Sequence, residues 1–206
     1  MSDLKEKFNL LVKESISPFL KSAGFKKAGL NYYLHLNDLV MVINLQKSHG
    51  NSFEELKFYV NFGIHSSSID EVLGLPTNHK PKEHECYYHN RIHPMATDSF
   101  LITSATSINL LFEELISTLK TALTKSESIK STTDLADLMI ENNGLYKRKE
   151  LCLYLLLSSN DERLKTYVQL LHEKFKEDQR WAKIENSTNE MLAAHKRNYK
   201  MKDIIK

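Results

Sequence analysis

The chain has 206 residues, of which 41% are hydrophobic and 26% are charged, so it can bury a core without disulfides or metals. Its 28 Lys and Arg residues nearly balance its 26 Asp and Glu residues, which gives a formal charge of +2. This balance argues against nucleic acid as a partner, because phosphate binding requires a concentrated basic surface.

Residues 1–9 lack the apolar core of a signal peptide, and the longest apolar run, Leu151–Leu157, is far shorter than the roughly 20 residues of a membrane-spanning helix. The only cysteines, Cys86 and Cys152, cannot form a disulfide framework, which favours a reducing compartment. No phosphate-loop, dinucleotide, zinc-protease or serine-hydrolase motif occurs. We therefore expect a cytoplasmic protein with no membrane partner and no cofactor.

Residues 3–23 have the apolar spacing of a helix, with Leu4, Phe8 and Leu11 on one side. Pro18 interrupts this helix, because proline cannot donate a backbone hydrogen bond. We expect either a kink or two short helices at this position.

Three segments with alternating apolar and polar residues follow, at residues 30–37, 39–46 and 56–65. Alternation with a period of two is typical of strands that bury one face. The first two segments meet at Asn37 and Asp38, which tolerate positive φ and therefore favour a tight hairpin. These segments predict a sheet whose Leu, Phe and Ile side chains share one face.

The chain between residues 66 and 83 is rich in Ser, Pro, Asn and Lys and predicts a loop. Residues 85–92 predict a further strand, and residues 99–103 predict an edge strand. From Thr106 the apolar period changes to 3.6, which predicts a helix over residues 106–123.

The segment Lys125–Thr133 is rich in Ser, Thr and Lys and predicts a boundary between two domains, residues 1–128 and 129–206. Beyond it the sequence predicts four helices, at residues 134–142, 148–158, 161–176 and 178–200. The fold class that we expect is α+β. An antiparallel sheet of four or five strands is packed by the N-terminal and central helices, and an all-helical C-terminal extension follows.

Polar residues within the strands form the main candidate site. Asn is depleted in strands and Gln has no advantage there, so amides at strand centres need a reason. Strand alternation puts Tyr33, His35, Asn44, Gln46, Tyr59 and Asn61 on the face opposite the Leu, Phe and Ile side chains, and a strand over residues 85–92 in the same sheet would add His89 and Arg91. The candidate binding site, called here the polar sheet face, comprises six of these side chains: Asn44, Gln46, Tyr59, Asn61, His89 and Arg91. This face predicts either a hydrogen-bonding site for a ligand or partner, or an internal network covered by a loop or by the C-terminal helices.

Seven of the nine histidines lie between His35 and His93, close to Cys86. In a strand, His84 and Cys86 would point to one side while His89 and His93 point to the other, so these side chains could converge on one ion only if residues 84–88 formed a loop. No motif surrounds Cys86 that would activate it as a nucleophile. We therefore expect neither a metal site nor a catalytic residue.

Several short motifs occur in a characteristic order: Gly24-Phe25-Lys26-Lys27, Tyr32-Tyr33, Val42–Ser48, Lys57–Ile64, Glu85-Cys86 and Arg91-Ile92. In this order they resemble the bacterial family called domain of unknown function 4304, over about residues 4–124. The family has no assigned activity, so the resemblance implies no catalytic residue. Small domains of this sort resemble immunity or accessory proteins of bacterial conflict systems, which implies a toxin as a partner.

We expect a non-enzymatic protein that binds another protein, with an immunity-type inhibitor of a bacterial toxin as one form of this function. Two alternatives remain open. One is a hydrolase or nuclease that uses His89, Arg91 and neighbouring Tyr or His groups. The other is a structural or regulatory module that forms a homodimer.

Overall fold

The computed structural model describes residues 2–94 and 97–205. The chain divides into two compact units. The first comprises the described residues of Met1–His65 and Asn78–Ser131, and the second comprises those of Ser66–Thr77 and Thr132–Lys206. This division differs from a single boundary after residue 128, because residues 66–77 belong with the C-terminal helices.

The first unit begins with a helical segment in three parts: α1 (Ser2–Leu11), a π-helical turn (Val12–Ile16) and α2 (Ser17–Ser22). Pro18 stands in the first turn of α2. Because proline has no N–H to donate and its ring crowds the turn before it, that turn widens from α to π. Gly24 ends α2 with a φ of +88°, a conformation that glycine adopts without strain.

Six strands form one antiparallel sheet: β1 (Lys26–Ala28), β2 (Asn31–Leu36), β3 (Leu39–Lys47), β4 (Glu55–Ser66), β5 (Tyr88–Ile92) and β6 (Phe100–Thr103). Their order is β1-β2-β3-β4-β5, and β6 pairs with a different part of β4 from the part that pairs with β5. The hairpin between β2 and β3 turns at Asn37, whose φ is 51°. The three alternating segments of the sequence are β2, β3 and β4.

The apolar face of the sheet carries the core of the first unit. Phe58 is fully buried, and its ring centroid lies 5.2 Å from that of Phe8 and 5.4 Å from that of Phe100. The central helix α4 (Ile108–Ser126) contacts α1 and buries Leu115 completely. The predicted α+β fold is therefore confirmed, with a sheet of six strands.

The described residues of the second unit form six helices: α3 (Ser67–Val72), α5 (Thr132–Asn142), α6 (Arg148–Leu157), α7 (Asp161–Phe175), α8 (Trp181–Ala194) and α9 (Met201–Ile204). The region predicted as a loop thus contains α3. Its first turn is capped by Ser66, whose Oγ accepts a hydrogen bond from the Ile69 N–H at 3.1 Å. Among the described residues, no helix combines the length and the apolar character that crossing a membrane requires.

Candidate functional site

Side-chain amides on β2, β3 and β4 hydrogen-bond to one another in a continuous chain. Asn44 Nδ2 donates to Asn31 Oδ1 at 2.7 Å, and these two residues are direct cross-strand partners. Asn61 Nδ2 donates to Asn44 Oδ1 at 3.1 Å and to Gln46 Oε1 at 3.0 Å. These four residues, Asn31, Asn44, Gln46 and Asn61, are called the amide row below.

Burial differs along the amide row. Asn61 is only 6% exposed, Asn44 is half-buried and Gln46 is exposed. A buried amide without partners would destabilise the fold, so the bonds to Asn61 explain how asparagine can occupy the centre of a strand. Asn61 is therefore a buried residue that orients Asn44 and Gln46 through hydrogen bonds. The exposed Gln46 is the member of the row that can contact another molecule.

Arg91 continues the polar sheet face onto β5, where it lies directly opposite Asn61 in the strand register. Its guanidinium carbon lies 4.1 Å from the centroid of the Tyr59 ring, a cation–π contact. Nη1 of the same group lies 3.4 Å from Oδ2 of Asp98. The Arg91 side chain is 45% exposed, so its planar head group is held on an aromatic ring and still reaches solvent.

His89 is the next residue of β5 on this face, opposite Gly63, and it is exposed. Partial desolvation of the imidazole lowers its pKa below the ordinary value; the charge of Glu83 opposes this shift, whereas His84 and Arg91 act in the same direction as desolvation. The neutral form therefore predominates at pH 7. A neutral imidazole can both donate and accept a hydrogen bond, but it adds no charge to the surface.

A short segment of the first unit covers the part of the same sheet face that is formed by β2 and the first half of β3. A 3-10 turn (Glu83–Glu85) precedes Cys86, which is fully buried and forms a small apolar cluster with Tyr33, Val40 and Val42. A Cβ atom added at Gly63 would lie 2.7 Å from Cys86 Sγ, so the segment approaches the strand closely. Cys86 is thus a packing residue.

The predicted strand over residues 85–92 is wrong in its first part, because β5 begins at Tyr88. His84 lies in the 3-10 turn, so strand alternation does not determine its direction. The geometry nevertheless offers no cation site within residues 2–94 and 97–205, where no three His, Cys, Asp or Glu side chains form a group that could hold a metal ion.

Sequence reasoning missed two members of the network, Asn31 and Asp98. The first could have been found from the hairpin, because Leu36 pairs with Leu39 across a two-residue turn and the same register places Asn31 opposite Asn44. Asp98 lies outside the strands and helices, between β5 and β6, and no periodic signal in the sequence predicts its approach to Arg91.

Comparison with known protein families finds that the model of a domain of unknown function, DUF4304, matches residues 16–129, more than half of the chain. The chain belongs to this family. The DUF4304 match begins at the end of the π-helical turn, ends just before the close of the first unit, and includes all six residues of the polar sheet face. Neither the curated proteins nor the solved structures contain a match to the chain.

Proposed function

We propose that this chain is a non-enzymatic protein-binding module that contacts its partner through the polar sheet face. The observation that carries the proposal is the stacked, half-exposed guanidinium of Arg91 on the ring of Tyr59. Arginine and tyrosine are enriched among the residues that contribute most to protein–protein affinity. A guanidinium held in place before binding also loses less conformational entropy when the complex forms.

The amide row supports the same proposal. Because Asn61 donates hydrogen bonds to both Asn44 and Gln46, the exposed Gln46 amide is restrained on the same sheet face as the Tyr59 and Arg91 pair. Rigid polar groups on a sheet give specificity, since a partner must match them without rearranging them. The six candidate residues contain no carboxylate and no Ser, Thr or Cys nucleophile, which favours binding over catalysis.

The specific form that we propose is inhibition of a partner protein, as an immunity protein inhibits a toxin. Such an inhibitor needs a rigid recognition surface and no chemistry of its own. The alternative of a homodimer module differs in one measurable property, because self-association doubles the mass of the protein in solution.

The experiment that tests the proposal is capture of partners from a lysate of the source cell on the immobilised 206-residue chain. We expect Arg91→Ala and Gln46→Ala to lose the captured protein. The matched control is Arg180→Ala, because Arg180 also lies over an aromatic ring, Phe175, at 5.4 Å and pairs with an aspartate, but on the second unit.

Equal capture of the partner by the unsubstituted chain and by the three variants would contradict the assignment of the site to the polar sheet face. Light scattering of the purified chain separates the homodimer alternative. A dimer that Arg91→Ala converts to a monomer would mean that the partner is a second copy.

A further inference from the structure

On the polar sheet face, the exposed groups of Gln46 and Arg91 are hydrogen-bond donors. Within the amide row, Asn61 donates to Asn44 and Gln46, and Asn44 donates in turn to Asn31. Gln46 therefore accepts this hydrogen bond through Oε1, and its Nε2 points away from the bond. Asn31 likewise accepts from Asn44 through Oδ1. The exposed end of the row is therefore an NH2 group, and the guanidinium of Arg91, which lies opposite Asn61 in the strand register, can only donate.

Arg91 uses little of its donor capacity within the described residues. Of its side-chain N–H groups, only one contacts a carboxylate, Oδ2 of Asp98, and the distance of 3.4 Å is long for a charged hydrogen bond. The Asp98 side chain is 69% exposed, so this contact competes with water and contributes little.

We propose, resting on the function proposed above, that the partner presents an acidic segment to this face. One carboxylate of the segment binds the Arg91 guanidinium and displaces Asp98, and a second carboxylate or a carbonyl accepts from Gln46 Nε2. A carboxylate fits a guanidinium fork through two parallel hydrogen bonds, which a single long contact to Asp98 does not provide.

The geometry favours an acidic protein segment over nucleic acid. Single-stranded nucleic acid gains most of its non-ionic affinity from bases that stack on aromatic rings. On this face the Tyr59 ring is already covered by Arg91 at 4.1 Å. The formal charge of the chain is only +2, so no excess of positive charge attracts a phosphate backbone over a protein carboxylate.

The test uses the 206-residue chain and three probes: acetyl-tetraglutamate amide, acetyl-tetraglutamine amide and an oligothymidylate. Nuclear magnetic resonance monitors the side-chain N–H signals of Arg91 and Gln46. We expect tetraglutamate to shift both signals, tetraglutamine to shift neither, and high salt to reverse the effect of tetraglutamate because exposed charge pairs are screened. Oligothymidylate binding more tightly than tetraglutamate would overturn the proposal.

Four variants sharpen the test. We expect Asp98→Asn to tighten tetraglutamate binding about two- to fivefold, since the internal competitor is removed. Arg91→Lys keeps the charge but loses the fork and should weaken binding, and Arg91→Ala should abolish it. Arg180→Ala, on the second unit, should leave it unchanged.

An unchanged affinity in Asp98→Asn together with equal shifts from both peptides would overturn the acidic-segment proposal. Failure of this proposal is distinguishable from failure of the proposed function. If Arg91→Ala loses the captured partner while tetraglutamate does not bind, the face binds proteins of another chemistry. If capture also survives Arg91→Ala, the site itself is assigned wrongly.

Discussion

At the scale of single residues, the two faces of β4 predict opposite responses to mutation. Phe58 and Phe62 lie on the apolar face and are 0% and 5% exposed, whereas Tyr59 lies on the polar sheet face and is half-buried. We expect Phe58→Ala and Phe62→Ala each to lower the free energy of unfolding by about 3–5 kcal/mol. Tyr59→Ala should cost clearly less. Denaturant unfolding measures all three, and equal losses would contradict the face assignment.

A second prediction concerns Arg148, a buried arginine of the second unit that is 7% exposed. Its guanidinium donates to two hydroxyls, Thr188 Oγ1 at 2.8 Å and Ser187 Oγ at 2.7 Å, and it also hydrogen-bonds to the thiol of Cys152. Both hydroxyls also donate to the Ile184 carbonyl, so they keep a partner when the arginine is removed. We expect Arg148→Met to change the free energy of unfolding by less than about 1 kcal/mol.

Removal of a hydrogen-bond acceptor of Arg148 should lower the free energy of unfolding more than removal of Arg148 itself. Thr188→Val leaves the buried guanidinium of Arg148 with one hydroxyl fewer, and we expect a loss of about 1–3 kcal/mol. The Cys152 thiol, which already hydrogen-bonds to Arg148, is a weak acceptor, because burial raises its pKa to about 11 and keeps it neutral. Thermal unfolding of both variants decides the matter, and a greater loss in Arg148→Met than in Thr188→Val would refute this account.

At the scale of elements, Cys86, which follows the 3-10 turn, approaches Gly63 of β4 closely. This contact predicts that the effects of mutating Gly63 and Cys86 on stability are coupled. Gly63→Ala would place a Cβ atom 2.7 Å from Cys86 Sγ and 3.2 Å from the Glu83 carbonyl oxygen. We expect a loss of about 1–3 kcal/mol, as for overpacking in a core. Cys86→Ala should recover part of it in the double variant, because the thiol is the nearest obstacle. A double-mutant cycle measures this coupling, and strictly additive losses would exclude it.

The sequence predicts well those elements in which burial of one face produces a regular spacing of apolar residues. Strands β2, β3 and β4 alternate because one side meets the core, and α4 repeats its apolar residues at helical spacing for the same reason. The register of the hairpin would even have placed Asn31 opposite Asn44. The amide contacts of Asn61 follow from this sheet geometry, so much of the candidate site was predictable.

The elements that the sequence misses are held by tertiary contacts. α3 has six residues, too few to show a period or to be stable alone, and it depends on the Ser66 cap. The 3-10 turn before Cys86 interrupts a run that alternates like a strand, and β1 has only three residues. Asp98 likewise lies outside the strands and helices, and no local pattern encodes its approach to Arg91.

At the scale of the whole molecule, the second unit takes residues from two parts of the chain. α3 contacts α6, and the Ser66 hydroxyl hydrogen-bonds to that of Thr132, so residues 66–77 are held by the C-terminal helices. Ile69 of α3 is fully buried in this unit. A chain that ends at residue 131 therefore keeps the complete sheet but loses the surroundings of Ile69.

We expect the chain truncated after Ser131 to retain slow hydrogen exchange in β2, β3 and β4, because the core around Phe58 lies entirely within the first unit. Its solubility should fall, since an apolar side chain becomes exposed where α3 loses its partners. Ile69→Ser should restore solubility to the truncated chain. In the full chain the same substitution should cost at least about 2 kcal/mol, because it replaces a buried branched side chain with a polar one. Loss of all slow exchange after truncation would mean that the sheet cannot fold without the second unit.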